Sequence, residues 1–141
     1  REICEKNFRR YRKREMENKI IMIVEDDSFV MDIYHTKLSQ EGYEIVEAAN
    51  GMEALKKLES GEKKPDLILL DILMPYVGGI EVLRKIKKDD NLKSIPVILL
   101  TNLSQKDDVD LGINLGADDY LIKSHFTPSE VMEKVKSQLE K

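Results

Sequence analysis

The stretch that decides the fold is Leu-Ile-Leu-Leu-Asp-Ile-Leu-Met-Pro at residues 67–75. A run of aliphatic residues that ends in an aspartate is typical of a strand covered on both faces and ending at a polar site. Ile20–Val24 is a similar run and precedes Glu25-Asp26-Asp27. Residues 97–100 form a third and precede Thr101. These runs predict the central strands of a parallel sheet.

Outward from these runs, short apolar segments alternate with longer amphipathic ones, which predicts five strand–helix units. We place strands at Ile20–Val24, 43–48, Leu67–Asp71, 95–101 and 118–123. We place helices at Ser28–Gln40, Gly51–Ser60, Gly79–Lys88, 105–115 and 128–140. Thr127-Pro128-Ser129-Glu130 supports the last helix, because it has the capping-box pattern with proline at the first helical position.

The polarity of the strands predicts their order. Segments 43–48 and 118–123 are more polar than the other three, as strands at the edge of a sheet tolerate. The pattern fits an α/β, doubly wound, flavodoxin-like fold with five parallel strands in the order 2-1-3-4-5 and five helices. In that order the winding reverses between the first and third strands, which predicts a site at their carboxyl ends.

Length and charge indicate one domain with a short basic extension. The chain has 141 residues and a net charge of −4. Residues 1–18 carry +3, so the remainder carries −7. We interpret residues 1–18 as a basic helical linker or a segment left over from expression, and residues 19–141 as the folded domain. No apolar run is long enough to span a membrane and no leader is evident, so we expect a cytoplasmic protein.

Polar residues from separate strands are expected to converge at the carboxyl edge of the sheet. Glu25 and Asp26 follow the first strand, Asp71 ends the third, Thr101 the fourth and Lys123 the fifth. Taken singly, an acidic pair after a strand is often only a helix cap. Together, three carboxylates repel one another by about 1–4 kcal/mol per pair at about 4 Å, so a cation must sit among them. Oxygen ligands of this kind suit Mg²⁺.

Four motifs in the same order resemble the response-regulator receiver domains of two-component signalling, and the resemblance covers residues 19–140. They are Ile23-Val24-Glu25-Asp26-Asp27, the 67–75 stretch followed by Gly78-Gly79, Val97-Ile98-Leu99-Leu100-Thr101, and Gly116-Ala117-Asp118-Asp119-Tyr120-Leu121-Ile122-Lys123. The resemblance identifies residues 19–141 as a receiver domain. It implies a phosphoprotein that carries an aspartyl phosphate in a phosphorelay.

The resemblance also implies a role for each acidic residue. Asp71 would be the phosphoacceptor. Asp26, Asp71 and the backbone carbonyl of Leu73 would bind Mg²⁺ directly, and Glu25 would act through a water molecule. Asp27 is expected to face away from the site, as the residue that starts the first helix.

The same resemblance implies a switch. Lys123 would bind one phosphoryl oxygen, Thr101 would swing in to bind another, and Tyr120 would follow Thr101 inward. Implied partners are a sensor histidine kinase or phosphotransfer protein, and a downstream protein on the face formed by the fourth helix, fifth strand and fifth helix. We expect neither direct nucleic-acid binding nor membrane binding, and a homodimer remains open.

Three features depart from the family pattern. Ser124 stands where the family usually has a proline with a cis bond, so the path of that loop is open. Asn102 is larger than the small residue common after the switch threonine. Leu73 and Leu103 occupy two positions that are often polar and that help to position water for loss of the phosphoryl group.

Two alternatives from other classes remain. One is a pseudo-receiver, a binding module that keeps the fold without phosphorylation, although Asp26, Asp71, Thr101 and Lys123 are all present. The other is a haloacid-dehalogenase-type phosphatase, which needs a second aspartate where this chain has Leu73. We therefore expect a protein that assists its own phosphorylation and dephosphorylation and is not a turnover enzyme.

Overall fold

The computed structural model describes residues 19–102 and 105–141. Our predictions for residues 1–18 and for Leu103 therefore lie outside the described residues. The elements are β1 (Ile20–Val24), α1 (Ser28–Gln40), β2 (Glu44–Ala48), α2 (Gly51–Ser60), β3 (Leu67–Asp71), α3 (Gly79–Lys88), β4 (Val97–Thr101), α4 (Lys106–Leu115), β5 (Asp119–Ile122), a 3₁₀ turn (Lys123–His125) and α5 (Pro128–Leu139). Within the described ranges, no helix is both long and apolar enough to cross a membrane.

The sheet has five parallel strands in the order β2-β1-β3-β4-β5, which confirms the predicted topology. Every residue of β3 and β4 is buried. Helices α1 and α5 cover one face, where Leu38 packs in one core with Val135. Helices α2, α3 and α4 cover the other face. The continuously apolar strands therefore lie in the centre because both of their faces are covered.

Four strand boundaries differ from the prediction, since β2 begins at Glu44, β4 at Val97 and β5 at Asp119, and β5 ends at Ile122. The starts of β4 and β5 have local chemical reasons. The strand that we predicted from residue 95 begins at Val97, since Pro96 has no N–H to contribute to a ladder. Asp118 precedes β5 instead of starting it. Its carboxylate accepts the Val97 N–H at 2.8 Å, and its own N–H donates to the Val97 carbonyl at 2.9 Å. Asp118 thus joins the beginnings of β4 and β5.

Lys87 ties together three segments at the amino-terminal edge of the sheet, where β4 and β5 begin. Its ammonium donates to the carbonyls of Lys93 at 3.1 Å and Ile95 at 3.2 Å, and lies 3.9 Å from an oxygen of Asp118. Only 16% of its side chain is exposed. The end of α3, the loop before β4 and the loop before β5 are consequently held by one cation.

The connection from β3 to α3 turns back tightly over the end of β3. The Gly79 N–H donates to the Ile72 carbonyl at 2.9 Å, so the first turn of α3 lies directly against the backbone that carries Asp71. A Cβ atom on Gly79 would lie 2.2 Å from the Asp71 carbonyl oxygen. A Cβ atom on the adjacent Gly78 would meet nothing closer than 3.5 Å. Only the second glycine is sterically required.

We predict that Gly79→Ala lowers the free energy of unfolding by about 2 kcal/mol or more, because the new methyl group overlaps backbone that cannot move without displacing β3. Gly78→Ala is the matched control and should cost less than about 1 kcal/mol. Urea denaturation of both variants checks this. Equal stabilities would show that the connection adapts freely.

Candidate functional site

Three acidic side chains meet at the carboxyl edge of the sheet. Leu70 of β3 pairs with Val24 of β1, so Asp71 lies beside the residues that follow β1. Glu25, Asp26 and Asp71 each place one carboxylate oxygen within 4.8 Å of the other two. Glu25 and Asp71 are only 2% and 4% exposed, whereas Asp26 is exposed. The sequence prediction that these residues converge is confirmed.

Lys123 reaches this acidic cluster from the first position of the 3₁₀ turn after β5. Its ammonium lies 2.8 Å from Glu25 Oε2 and 3.2 Å from Asp71 Oδ2. The predicted strand ran to residue 123, but β5 ends at Ile122 and the chain turns there. The described residues contain no cis peptide bond, so Ser124 continues the turn with a trans backbone.

Burial dominates the electrostatics of the cluster. Burial and, next, the negative charge of Glu25 raise the pKa of Asp71, Lys123 and the Leu73 N–H oppose the shift, and the net result is a pKa of about 7. Burial alone lowers the pKa of Lys123, but its hydrogen bond to Glu25 and the charge of Asp71 outweigh burial and raise it. Lys123 therefore neutralises the negative charge of the cluster only in part, and ionisation of Asp71 remains unfavourable in the folded protein.

The two adjacent aspartates after β1 have separate positions. Asp27 caps α1: its Oδ1 accepts the N–H of Phe29 at 2.9 Å and of Val30 at 3.2 Å. The Asp27 carboxylate is thus committed to the helix, as predicted, and Asp26 alone of the pair joins the cluster. On the opposite side, the Leu73 N–H donates to Asp71 Oδ1 at 3.3 Å.

The donor set fits a hard divalent cation. Carboxylate oxygens are ligands of Mg²⁺, which binds through one or two of them and keeps several waters. The exposure of Asp26 leaves the cluster open to solvent on one side. Excess negative charge, oxygen donors and an open side together suit Mg²⁺ better than a softer metal, for which the cluster offers neither thiolate nor imidazole.

Thr101 ends β4 with its side chain 1% exposed. Its hydroxyl lies 3.1 Å from Gln105 Oε1 and 3.1 Å from the Asn102 carbonyl oxygen. Sequence reasoning identified Thr101 but missed Gln105, which is 7% exposed. The available signal was spacing, because Gln105 falls on the same helical face as the buried Val109 and Gly112.

Tyr120 lies on β5 and is 42% exposed. It lines a cleft of about 350 Å³ between α4 and β5, and Thr101 lines the same cleft. Leu111 and Ile113 of α4 are also about 40% exposed. The structure therefore connects the strand end that carries Thr101 with a partly apolar outer face.

Comparison with known proteins identifies the family. A sequence model described as the response regulator receiver domain matches residues 21–136. The chain belongs to the response-regulator receiver domains. Its acidic cluster of Glu25, Asp26 and Asp71 lies where receiver domains are phosphorylated.

Individual relatives agree with this assignment. The receiver is 39% identical over 122 residues to the alkaline phosphatase synthesis transcriptional regulatory protein PhoP of Bacillus subtilis, an alignment covering 86% of this chain and 49% of that protein. It thus spans about half the length of the curated relatives it matches. The receiver domain of a signal transduction histidine kinase from Syntrophus aciditrophicus matches with a TM-score of 0.79 at 36% identity, covering 87% and 91% of the two chains. The Mn²⁺-bound form of the response regulator Rcp1 matches with a TM-score of 0.74 at 31% identity, covering 85% and 91%.

We predict that Asp71→Asn stabilises the metal-free receiver at pH 8 by about 2–4 kcal/mol, because it removes a buried charge beside Glu25. The raised pKa means that native wild-type protein holds the proton up to about pH 7. The advantage of the variant should therefore be small near pH 4, grow between pH 4 and 7, and stay constant above.

The measurement is urea denaturation in a chelating buffer across this pH range, with Asp26→Asn as the control. Because Asp26 is exposed, its variant should gain less than about 1 kcal/mol. Mg²⁺ should narrow the difference between wild type and Asp71→Asn. A wild type more stable than Asp71→Asn at pH 8 would contradict the electrostatic account.

Proposed function

We propose that this receiver accepts a phosphoryl group on Asp71 with Mg²⁺ bound at the acidic cluster, and that the modification changes partner binding through Thr101 and Tyr120. The observation that carries the proposal is the meeting of Glu25, Asp26 and Asp71 with Lys123 at one edge of the sheet. A nucleophilic carboxylate, a cation site and a lysine are the groups that phosphoryl transfer requires.

The proposed step forms one bond and breaks another. A carboxylate oxygen of Asp71 attacks the phosphorus, an O–P bond forms, and the bond from phosphorus to the donor breaks with its electron pair passing to the donor. Lys123 then binds one phosphoryl oxygen, and the hydroxyl of Thr101 donates to another. Catalysis of this kind is mostly positioning and charge stabilisation.

We assign the cation to four groups. Asp26, Asp71 and the Leu73 carbonyl would bind Mg²⁺ directly, and Glu25 would act through water. When bound, Mg²⁺ would supply the positive charge that Lys123 cannot supply alone. The Mn²⁺-bound form of Rcp1 supports a divalent cation in a receiver of this fold.

The proposed phosphoryl donor is a sensor histidine kinase or phosphotransfer protein. We propose that the receiver meets it in the cytoplasm. The proposed output is contact with a downstream protein on the face formed by α4, β5 and α5. Neither direct nucleic-acid binding by this domain nor turnover of an external substrate is part of the proposal. The exposed Ile113 and Tyr120, which line the cleft between α4 and β5, support a protein-binding face.

The pseudo-receiver is the second candidate. It would keep the fold and its binding faces without accepting a phosphoryl group. The convergence of Asp71 with Asp26 and Lys123 favours the phosphorylated function, since a binding module has no need of a buried carboxylate with a raised pKa.

We predict that acetyl phosphate with Mg²⁺ adds one phosphoryl group to this chain and that Asp71→Asn or chelation of Mg²⁺ abolishes the addition. Intact-mass spectrometry measures the result directly. Asp27→Asn is the matched control, because asparagine also caps helices well and Asp27 lies outside the cluster. Equal labelling of wild type and Asp71→Asn would exclude Asp71 as the acceptor. No labelling of wild type would favour the pseudo-receiver.

We further predict that phosphorylation of Asp71 changes the conformation of α4, β5 and α5. Thr101 and Tyr120 line one cleft between Asp71 and the face formed by these elements. NMR spectra recorded with Mg²⁺ and beryllofluoride, which mimics the phosphoryl group, should show shifts at Tyr120 and along α4. Residues at the amino-terminal edge, such as Lys87, serve as the internal control and should shift little. Shifts confined to the loops around Asp71 would contradict the coupling.

A further inference from the structure

Gln105 is a buried polar residue that the proposed function does not yet use. In the described ranges, the buried polar or charged side chains are Glu25, Asp71, Thr101 and Gln105. The first three belong to the phosphorylation site or its switch. Gln105 immediately precedes α4 and is only 7% exposed. A polar side chain buried at this point requires partners, and its partners indicate what it does.

The amide oxygen of Gln105 joins two groups at the end of β4. It lies 3.1 Å from Thr101 Oγ1 and accepts the Asn102 N–H at 3.2 Å. The backbone N–H can only donate, so it fixes the amide with its oxygen toward β4. The hydroxyl of Thr101 must then be the donor in its contact with Gln105. Its other acceptor is the Asn102 carbonyl at 3.1 Å.

This arrangement competes with the proposed switch. A threonine hydroxyl has one proton and can donate one hydrogen bond at a time. In the arrangement described here the proton is directed to acceptors beside α4. In the phosphorylated form it would be directed to a phosphoryl oxygen. Thr101 therefore has to give up Gln105 before it can bind the phosphoryl group.

We propose that Gln105 is a positioning residue that holds Thr101 in the unphosphorylated state and passes its release to the start of α4. The proposal rests on the function proposed above for Asp71 and Thr101. Gln105 is suited to the second task because its backbone N–H also donates to the Asn102 carbonyl at 3.2 Å. One residue thus contacts the strand end through its side chain and its backbone, and the helix begins at the next residue.

The energetic consequence is a shift between two states. A contact made only in the unphosphorylated state favours that state, so removing the contact increases the share of molecules ready for the phosphoryl group. The apparent affinity for a phosphoryl mimic should rise by the same factor. Removing the amide oxygen loses two neutral hydrogen bonds, but only the bond from Thr101 has to break when the hydroxyl turns to a phosphoryl oxygen. Since that one bond sets the shift and the Asn102 carbonyl remains as an acceptor for the hydroxyl, we expect a change of about threefold to fivefold.

The experiment measures the dissociation constant of beryllofluoride at fixed Mg²⁺ by NMR titration. Gln105→Met keeps the length of the side chain and removes the acceptor, and it should bind about threefold to fivefold more tightly than wild type. Gln40→Met makes the same exchange at an exposed position at the end of α1 and should bind like wild type. Gln105→Ala provides a second variant if the methionine does not fit the site.

A double-mutant cycle separates this role from a merely structural one. In a Thr101→Val background, which has no hydroxyl to hold, Gln105→Met should leave the dissociation constant unchanged. An equal gain in both backgrounds would overturn the proposal, because Gln105 would then act without the hydroxyl. If the single variants Gln105→Met and Gln105→Ala both bound beryllofluoride with the affinity of the wild type, the proposal would also be overturned. Failure of wild type to bind beryllofluoride at all would instead contradict the proposed function of Asp71.

Discussion

The bridge from Lys123 to Glu25 and Asp71 is the interaction on which the site depends. Two carboxylates are buried side by side, and Lys123, within hydrogen-bonding distance of both, reduces their mutual repulsion when Asp71 is ionised. The lysine comes from the far end of the chain, 98 residues from Glu25, so the fold must be complete before the charges balance. Lys123 offsets the negative charge only in part, so the ionisation of Asp71 still depends on other charges near it.

The parallel sheet makes this arrangement possible. All five strands run the same way, so residues distant in sequence end at one edge. Local structure then assigns neighbouring residues to different tasks. The Asp27 carboxylate caps the first turn of α1, whereas the Asp26 carboxylate joins the acidic cluster. Gly79 lets α3 begin directly over the carbonyl of Asp71, which fixes the backbone at Asp71.

The sequence predicted most of the fold because its strongest signals act locally. Central strands such as β3 are continuously apolar, and the Thr127 capping box is present as expected. The boundaries at Pro96 and Lys123 were less accurate, because the missing N–H of Pro96 delays the start of β4 and a tight turn at Lys123 ends β5. The converging acids were predictable from topology, whereas the roles of the residues still rest on proposals.

Gln105 shows where sequence reasoning ended. A glutamine before a helix is ordinarily a solvated residue, and only the fold turns its amide toward Thr101. No composition or periodicity specifies which of several acceptors a hydroxyl will choose. That choice depends on distances of a few tenths of an ångström between a strand end and a helix start. Gln105 was therefore harder to find in the sequence than the acidic residues or Thr101.

The Lys87 contact has a consequence for how receivers of this kind can diversify. It fastens the edge of the sheet that lies opposite the acidic cluster, using a single ammonium and the carbonyls of Lys93 and Ile95. The loops around the acidic cluster make none of these Lys87 contacts. Their sequences can therefore change while the end of α3 stays joined to the loops before β4 and β5.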